Sequence, residues 1–240
     1  MPPNLIQTFA DIEVAWQSAE RESDKRAVWR ALAKGGWLRA CRAAVQRRER
    51  TTFETWLDAG DFTRQEIMQF AGAEAAQLVH LHLLCSHVVC GEREGASWEQ
   101  LKSVPGAGAF PLPRGFCCDL MRALVGEPLR TAARSVSLSV LLVDTARNEG
   151  VEATLSLARL ADGEKEWYCV PELAFLRDTE ARQAEDHARA YVARTGLWQQ
   201  EWDVRWQVQR RDGKPLVTLS GPSLGAAFAL GLAKLCAARS

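Results

Sequence analysis

No apolar run in the sequence reaches the ~18 residues that a membrane span needs, so a membrane-spanning role is not expected. There is no net charge either: 30 Lys plus Arg balance 30 Asp plus Glu. A balanced chain has no global field to draw it to nucleic acid or to an anionic bilayer. The first residues, MPPNLIQTFADIEVAW, carry acids and no cationic start before an apolar run, so they do not read as a signal peptide. The seven cysteines are an odd set without regular spacing. With no export signal they read as reduced thiols, which predicts a cytoplasmic protein. No internal repeat and no Walker motif is visible, so no ATPase engine is expected.

What remains is an ordinary globular composition, 47% hydrophobic and 25% charged. At 240 residues the chain can form one large domain or two modest ones. Nine tryptophans supply large packing surfaces, more suited to a core than to a ligand stack.

Hydrophobic spacing predicts helices throughout residues 4–103. Leu5, Phe9, Ile12, Ala15 and Trp16 open the pattern, and Gly35-Gly36 should break it. Thr63 is expected to cap one long helix through Ile67, Phe70, Leu78 and Leu84 that stops near Gly91. Ser97 should start a short one. PGAGAFPLPRG, 105–115, holds three prolines and three glycines and reads as a semi-stiff linker. The expected division is a helical domain over 1–104, the linker over 105–115, and a second domain over 116–240. In that second half, SVSLSVLLVDT (135–145), VEATLSLARL (151–160), EWYCVPELAFL (166–176, interrupted by Pro171) and DVRWQVQ (203–209) read as strands. DTEARQAEDHARAYVARTG (178–196) reads as a helix that Gly196 stops. Strands, helix, strand, loop and helix in that order predict an α+β fold. The isolated acids Asp119, Asp144 and Asp178 are expected in turns and caps.

VHLHLLCSHVVC, 79–90, invites a zinc reading. On a helix His80 and His87 share a face, with Cys90 nearby, while His82 and Cys85 point away. His80, His87 and Cys90 are therefore only a weak ligand set, and a buried helix is the plainer reading. Cys117-Cys118 lacks the two-residue gap of a metal or redox motif and is expected near the domain junction. The basic run RAAVQRRER, 42–50, reads as a solvated helix face and not as a nucleic-acid site. No cofactor or metal is expected.

LSGPSLGAAFALGLAKL, 219–235, turns through Gly221-Pro222 into a small-residue helix at Ser223. A serine there lies at the positive end of a helix dipole, close to free backbone N–H groups. The arrangement suits an oxyanion hole, with Gly221, Pro222, Leu224 and Gly225 forming the turn. It suits a helix cap equally well. It could also hold a phosphate, although the glycine and lysine pattern of a P-loop is missing.

The order of pieces adds to this. EARQAEDHARAYVARTG, DVRWQV, RRDGKPLVTL and GPSLGAAFALGLA follow one another. In this, residues 135–238 resemble the proteolytic domain of the Lon family of Ser-Lys proteases. The resemblance implies a Lon-like α+β domain with Ser223 at the nucleophile position. It also implies a lysine base on an element past the serine helix. Lys234 is the only lysine after Ser223 in this sequence. It lies on the same helix, roughly 16 Å along the axis at ~1.5 Å per residue, beyond the ~3 Å that proton transfer requires. The expectation is a degenerate Lon-like domain joined to a helical adaptor. Such a protein would bind another protein chain or regulate one, within a bacterial signalling or defence assembly. The alternative is a serine peptidase with Ser223 as nucleophile and its base elsewhere.

Overall fold

The computed structural model describes residues 6–91, 96–105, 107–109, 111–144, 149–161, 163–196, 201–216 and 223–237. The fold is α+β, with helices in the N-terminal part and a four-stranded sheet in the C-terminal part. Residue contacts divide it into two compact units, Met1–Leu129 and Arg130–Ser240.

The first unit contains α1 (Phe9–Gln17), α2 (Glu22–Ala31), α3 (Trp37–Gln46), α4 (Arg50–Leu57), α5 (Phe62–Ala71), α6 (Ala73–Gly91), α7 (Trp98–Ser103) and α8 (Arg114–Val125). Thr8 starts α1 through a reciprocal cap: its hydroxyl accepts from Asp11 N at 3.1 Å, and Asp11 Oδ2 accepts from Thr8 N at 2.9 Å. The expected break at Gly35-Gly36 is present as a widened turn between α2 and α3. Gly35 has φ +93°, and a Cβ on Gly36 would lie 2.7 Å from the Ala31 carbonyl oxygen. Phe9, Trp37, Phe53 and Trp56 pack ring against ring at centroid distances of 4.9–5.7 Å.

The long helix expected from Thr63 to Gly91 is two helices. Gly72, at φ +83° and ψ 166°, leaves the helical region and separates α5 from α6. The cap of α5 is Asp61, which accepts from Arg64 N, while Thr63 is buried inside the helix. Apolar residues are spread around all of α6, and the other helices cover it on nearly every side. Ser97 caps α7 with Gln100 as expected.

The division between units falls after Leu129 and not within 105–115, because α8 packs against α3 and α6. Arg42 Nε donates to the Ala123 carbonyl at 2.8 Å, and Gly126 closes α8 in the left-handed conformation. Cys117 accordingly lies buried in this unit's core, as Cys85 does. Asp119 is buried within α8, neither in a turn nor at a cap.

His82, fully buried on α6, has Nδ1 2.8 Å from the Leu78 carbonyl oxygen and its ring edge-on to Phe116. Burial lowers its pKa to about 4, and the Leu78 carbonyl only partly opposes that. The folded pKa lies below the unfolded 6.5, so the stabilisation is complete above pH 6.5 and is lost as the pH falls towards 4. At ~1.4 kcal/mol per unit the loss is on the order of 3 kcal/mol. Amide-exchange protection of α6 and α8 should therefore fall between pH 6.5 and 4, and His82→Leu should flatten that dependence.

The second unit contains β1 (Arg134–Asp144), β2 (Glu149–Leu160), β3 (Trp167–Cys169), α9 (Thr179–Arg194), β4 (Asp203–Arg210) and α10 (Ser223–Ala237). The strand order is β1-β2-β4-β3, antiparallel except for the parallel pair β3–β4 that α9 connects. Alternation puts Ala153, Leu155 and Leu157 of β2 and Val204, Trp206 and Val208 of β4 on the buried face. Phe228, Leu232 and Leu235 of α10 cover that face. The opposite face carries Ser137, Ser139, Thr154, Ser156 and Gln207, and the hydroxyls of Ser137 and Ser156 are 2.9 Å apart.

The third strand is much shorter than the expected 166–176. Proline has no N–H to donate, and at Pro171 the chain turns into a 3₁₀ segment, Pro171–Leu173. Asp178 caps α9 by accepting from Ala181 N at 2.8 Å, as expected, whereas Asp144 belongs to β1. Asp203, 1% exposed, accepts from Glu164 N at 2.8 Å, Glu166 N at 3.0 Å and Arg130 Nη2 at 3.0 Å. This wraps the loop before β3 so closely that a Cβ on Gly163 would lie 2.2 Å from Asp203 N. Gly163→Ala should destabilise this unit by about 1–3 kcal/mol, as overpacking does, seen as a lower urea midpoint at unchanged slope.

Candidate functional site

Ser223 is the first residue of α10. Gly221, Pro222 and the Ser223 side chain lie outside the described residues. Behind the serine, Leu224 is 2% exposed and anchors the first turn in the core. Gly225 faces α9: a Cβ there would lie 3.6 Å from both Cβ and O of Ala184. Further along, Gly231 brings α10 against the sheet, where a Cβ would lie 2.7 Å from Leu157 Cδ1. Small residues thus let α10 lie close to α9 at one point and to β1 and β2 at another. Ala181, Ala184, Ala188 and Val192 form the buried stripe of α9.

The residue after Ala184 is a buried acid with several hydrogen-bond donors. Glu185 is 4% exposed. Its Oε2 accepts from Trp167 Nε1 at 2.9 Å and from Trp206 Nε1 at 3.2 Å, and Arg177 Nη1 lies 3.2 Å from both carboxylate oxygens. A carboxylate held by three donors is committed to structure and is poorly placed to take a proton from a nucleophile. Nearby Cys169 is fully buried; burial pushes its thiol up to about 12, against a smaller downward pull from Arg177. A thiol so protonated is no nucleophile.

The lysines and the histidine that could serve Ser223 as a base are all exposed side chains. Lys234 is exposed on α10, roughly 16 Å along the helix from Ser223 at ~1.5 Å per residue. Lys214 is exposed with Nζ 3.8 Å from Asp212 Oδ2, and Lys165 is exposed in the loop before β3. Lys102 belongs to the other unit and pairs with Glu99 at 2.8 Å. His187 is on the solvent side of α9.

The weak ligand set of the first unit is not assembled either. His80 is buried, while His87 Nε2 lies 3.6 Å from Glu54 Oε1 on α4. Among the described residues no group of three or more His, Cys, Asp or Glu side chains is placed to hold a metal ion. In the basic run, Arg42 bonds α8, while Arg47 pairs with Glu49 and Arg50 with Glu54. Among the described residues no helix is long and apolar enough to cross a membrane. The Glu185 cluster escaped the sequence reading: Arg177, Glu185, Trp167 and Trp206 share no motif, and the parallel β3–β4 pairing and the packing of α9 bring them together.

No family model, curated protein or solved structure matches the chain.

Removing one partner of a buried ion pair leaves the other charge uncompensated, at about 3–5 kcal/mol. Glu185→Leu should therefore lower the stability of the second unit by that amount in urea unfolding. The double variant Glu185→Leu/Arg177→Met should recover much of it.

Proposed function

We propose that the second unit is a degenerate Lon-like domain and that the protein acts as a protein-binding or regulatory module, not as a peptidase. The resemblance supplies the first half of this reading. What supports the second is the surroundings of α10: Ser223 opens the helix, yet the lysines considered as its base are exposed, and His187 faces solvent. A serine without an activating partner is a poor nucleophile. The helical unit, with its own aromatic core, is the part that would carry the binding role.

A fluorophosphonate probe tests this reading. No adduct should form on Ser223, and Ser223→Ala should cost only about 1 kcal/mol of stability, as a lost helix-end hydroxyl does. Labelling of Ser223 that Ser223→Ala abolishes would instead establish the peptidase alternative.

A further inference from the structure

Strand β1 is 11 residues long and pairs with β2 along its whole length. Among the described residues no strand lies on its other side. Proteins guard such edges with charges, prolines, bulges or short strands. Between Arg134 and Asp144, β1 reads SVSLSVLLV, with no charge and no proline. Its register against β2 is unbroken by a bulge. Leu141 and Val143 are 66% and 65% exposed. Val136, Leu138, Val140 and Leu142 are only half-buried, although they lie on the face that α10 covers. The strand is long and apolar, and its edge is unguarded among the described residues.

We propose that β1 is a self-association edge: a second copy of this chain adds its own β1 antiparallel, so that one sheet continues across a two-fold axis. The charge pattern of the strand selects this occupant. β1 begins at a cation and ends at an anion. Antiparallel pairing centred on Ser139 places Arg134 opposite Asp144 of the second copy at both ends at once. It also places Ser139 opposite itself, Leu138 opposite Val140 and Val136 opposite Leu142. Parallel pairing would put Arg134 opposite Arg134, and a one-residue slip would turn every side chain to the wrong face. The interface uses the same strand from both copies, so it closes as a dimer and does not propagate into a fibre. The inference is independent of the role of Ser223.

Sedimentation velocity of the full chain across the micromolar range tests it, with circular dichroism checking that each variant folds. The wild type should dimerise reversibly. Arg134→Glu should weaken the dimer about tenfold or more by opposing like charges at both ends. Arg134→Glu/Asp144→Arg should restore it. Directly opposite residues in an antiparallel pair lie within disulfide reach. Under oxidised glutathione, which takes up the two electrons, Ser139→Cys should give a linked dimer beyond any wild-type background, and Ser135→Cys should not. A chain that stays monomeric overturns the proposal, including one that pairs β1 only with a different protein's strand. So does a dimer that Ser135→Cys links as readily as Ser139→Cys. If Arg134→Glu fails to fold, the cysteine pair alone decides.

Discussion

The second unit depends on one buried carboxylate. Glu185 joins α9 to β3 through Trp167, to β4 through Trp206, and to the segment before α9 through Arg177. An apolar stripe of alanines is smooth and would let α9 slide or rotate on the sheet. Two indole N–H donors and a guanidinium accept only one placement. A buried pair of this kind contributes little net stability, because desolvation offsets much of the attraction. What it contributes is register. Once α9 is fixed, Ala184 offers Gly225 a flat seat, and the first turn of α10 takes its position from there.

Around that point the unit is held by a second polar knot. Asp203 begins β4, gathers two backbone N–H groups from the loop before β3, and holds Arg130, the first residue of the unit. The helical unit works by other means. Its central helix α6 has apolar residues around its circumference and is packed on nearly every side by the other helices. Two of its helix breaks are made by glycines at positive φ, Gly35 and Gly72.

The sequence shows most clearly what is local. Capping chemistry marked Ser97, Asp178 and the Gly35-Gly36 break, because each acts within one helical turn of its own position. Alternation marked β1, β2 and β4, because their two faces meet different surroundings. Gly72 was harder to read: hydrophobic spacing runs through it, and only its φ shows the break. PGAGAFPLPRG reads as a linker by composition, yet α8 begins inside it, since Pro113 suits a helix start and the helix finds a partner surface far back in the chain. At the candidate site Ser223 was legible as the start of a helix. The outward aspect of His187 was not, because one residue's offset around α9 decides it, and only the packing of Ala184 and Ala188 sets that rotation. The Glu185 cluster needs the whole strand order before its members become neighbours.

The distribution of thiols has an experimental use. Cys41, Cys85 and Cys117 are sealed in the first unit and Cys169 in the second, each with no exposed surface. A sealed thiol reacts with an alkylating reagent only when its surroundings open. Each unit therefore carries its own internal clock, written into the chain without any added label. Brief alkylation followed by peptide mapping would time the opening of the helical unit and of the sheet unit separately, in one sample, and would reveal whether the two open together or one at a time.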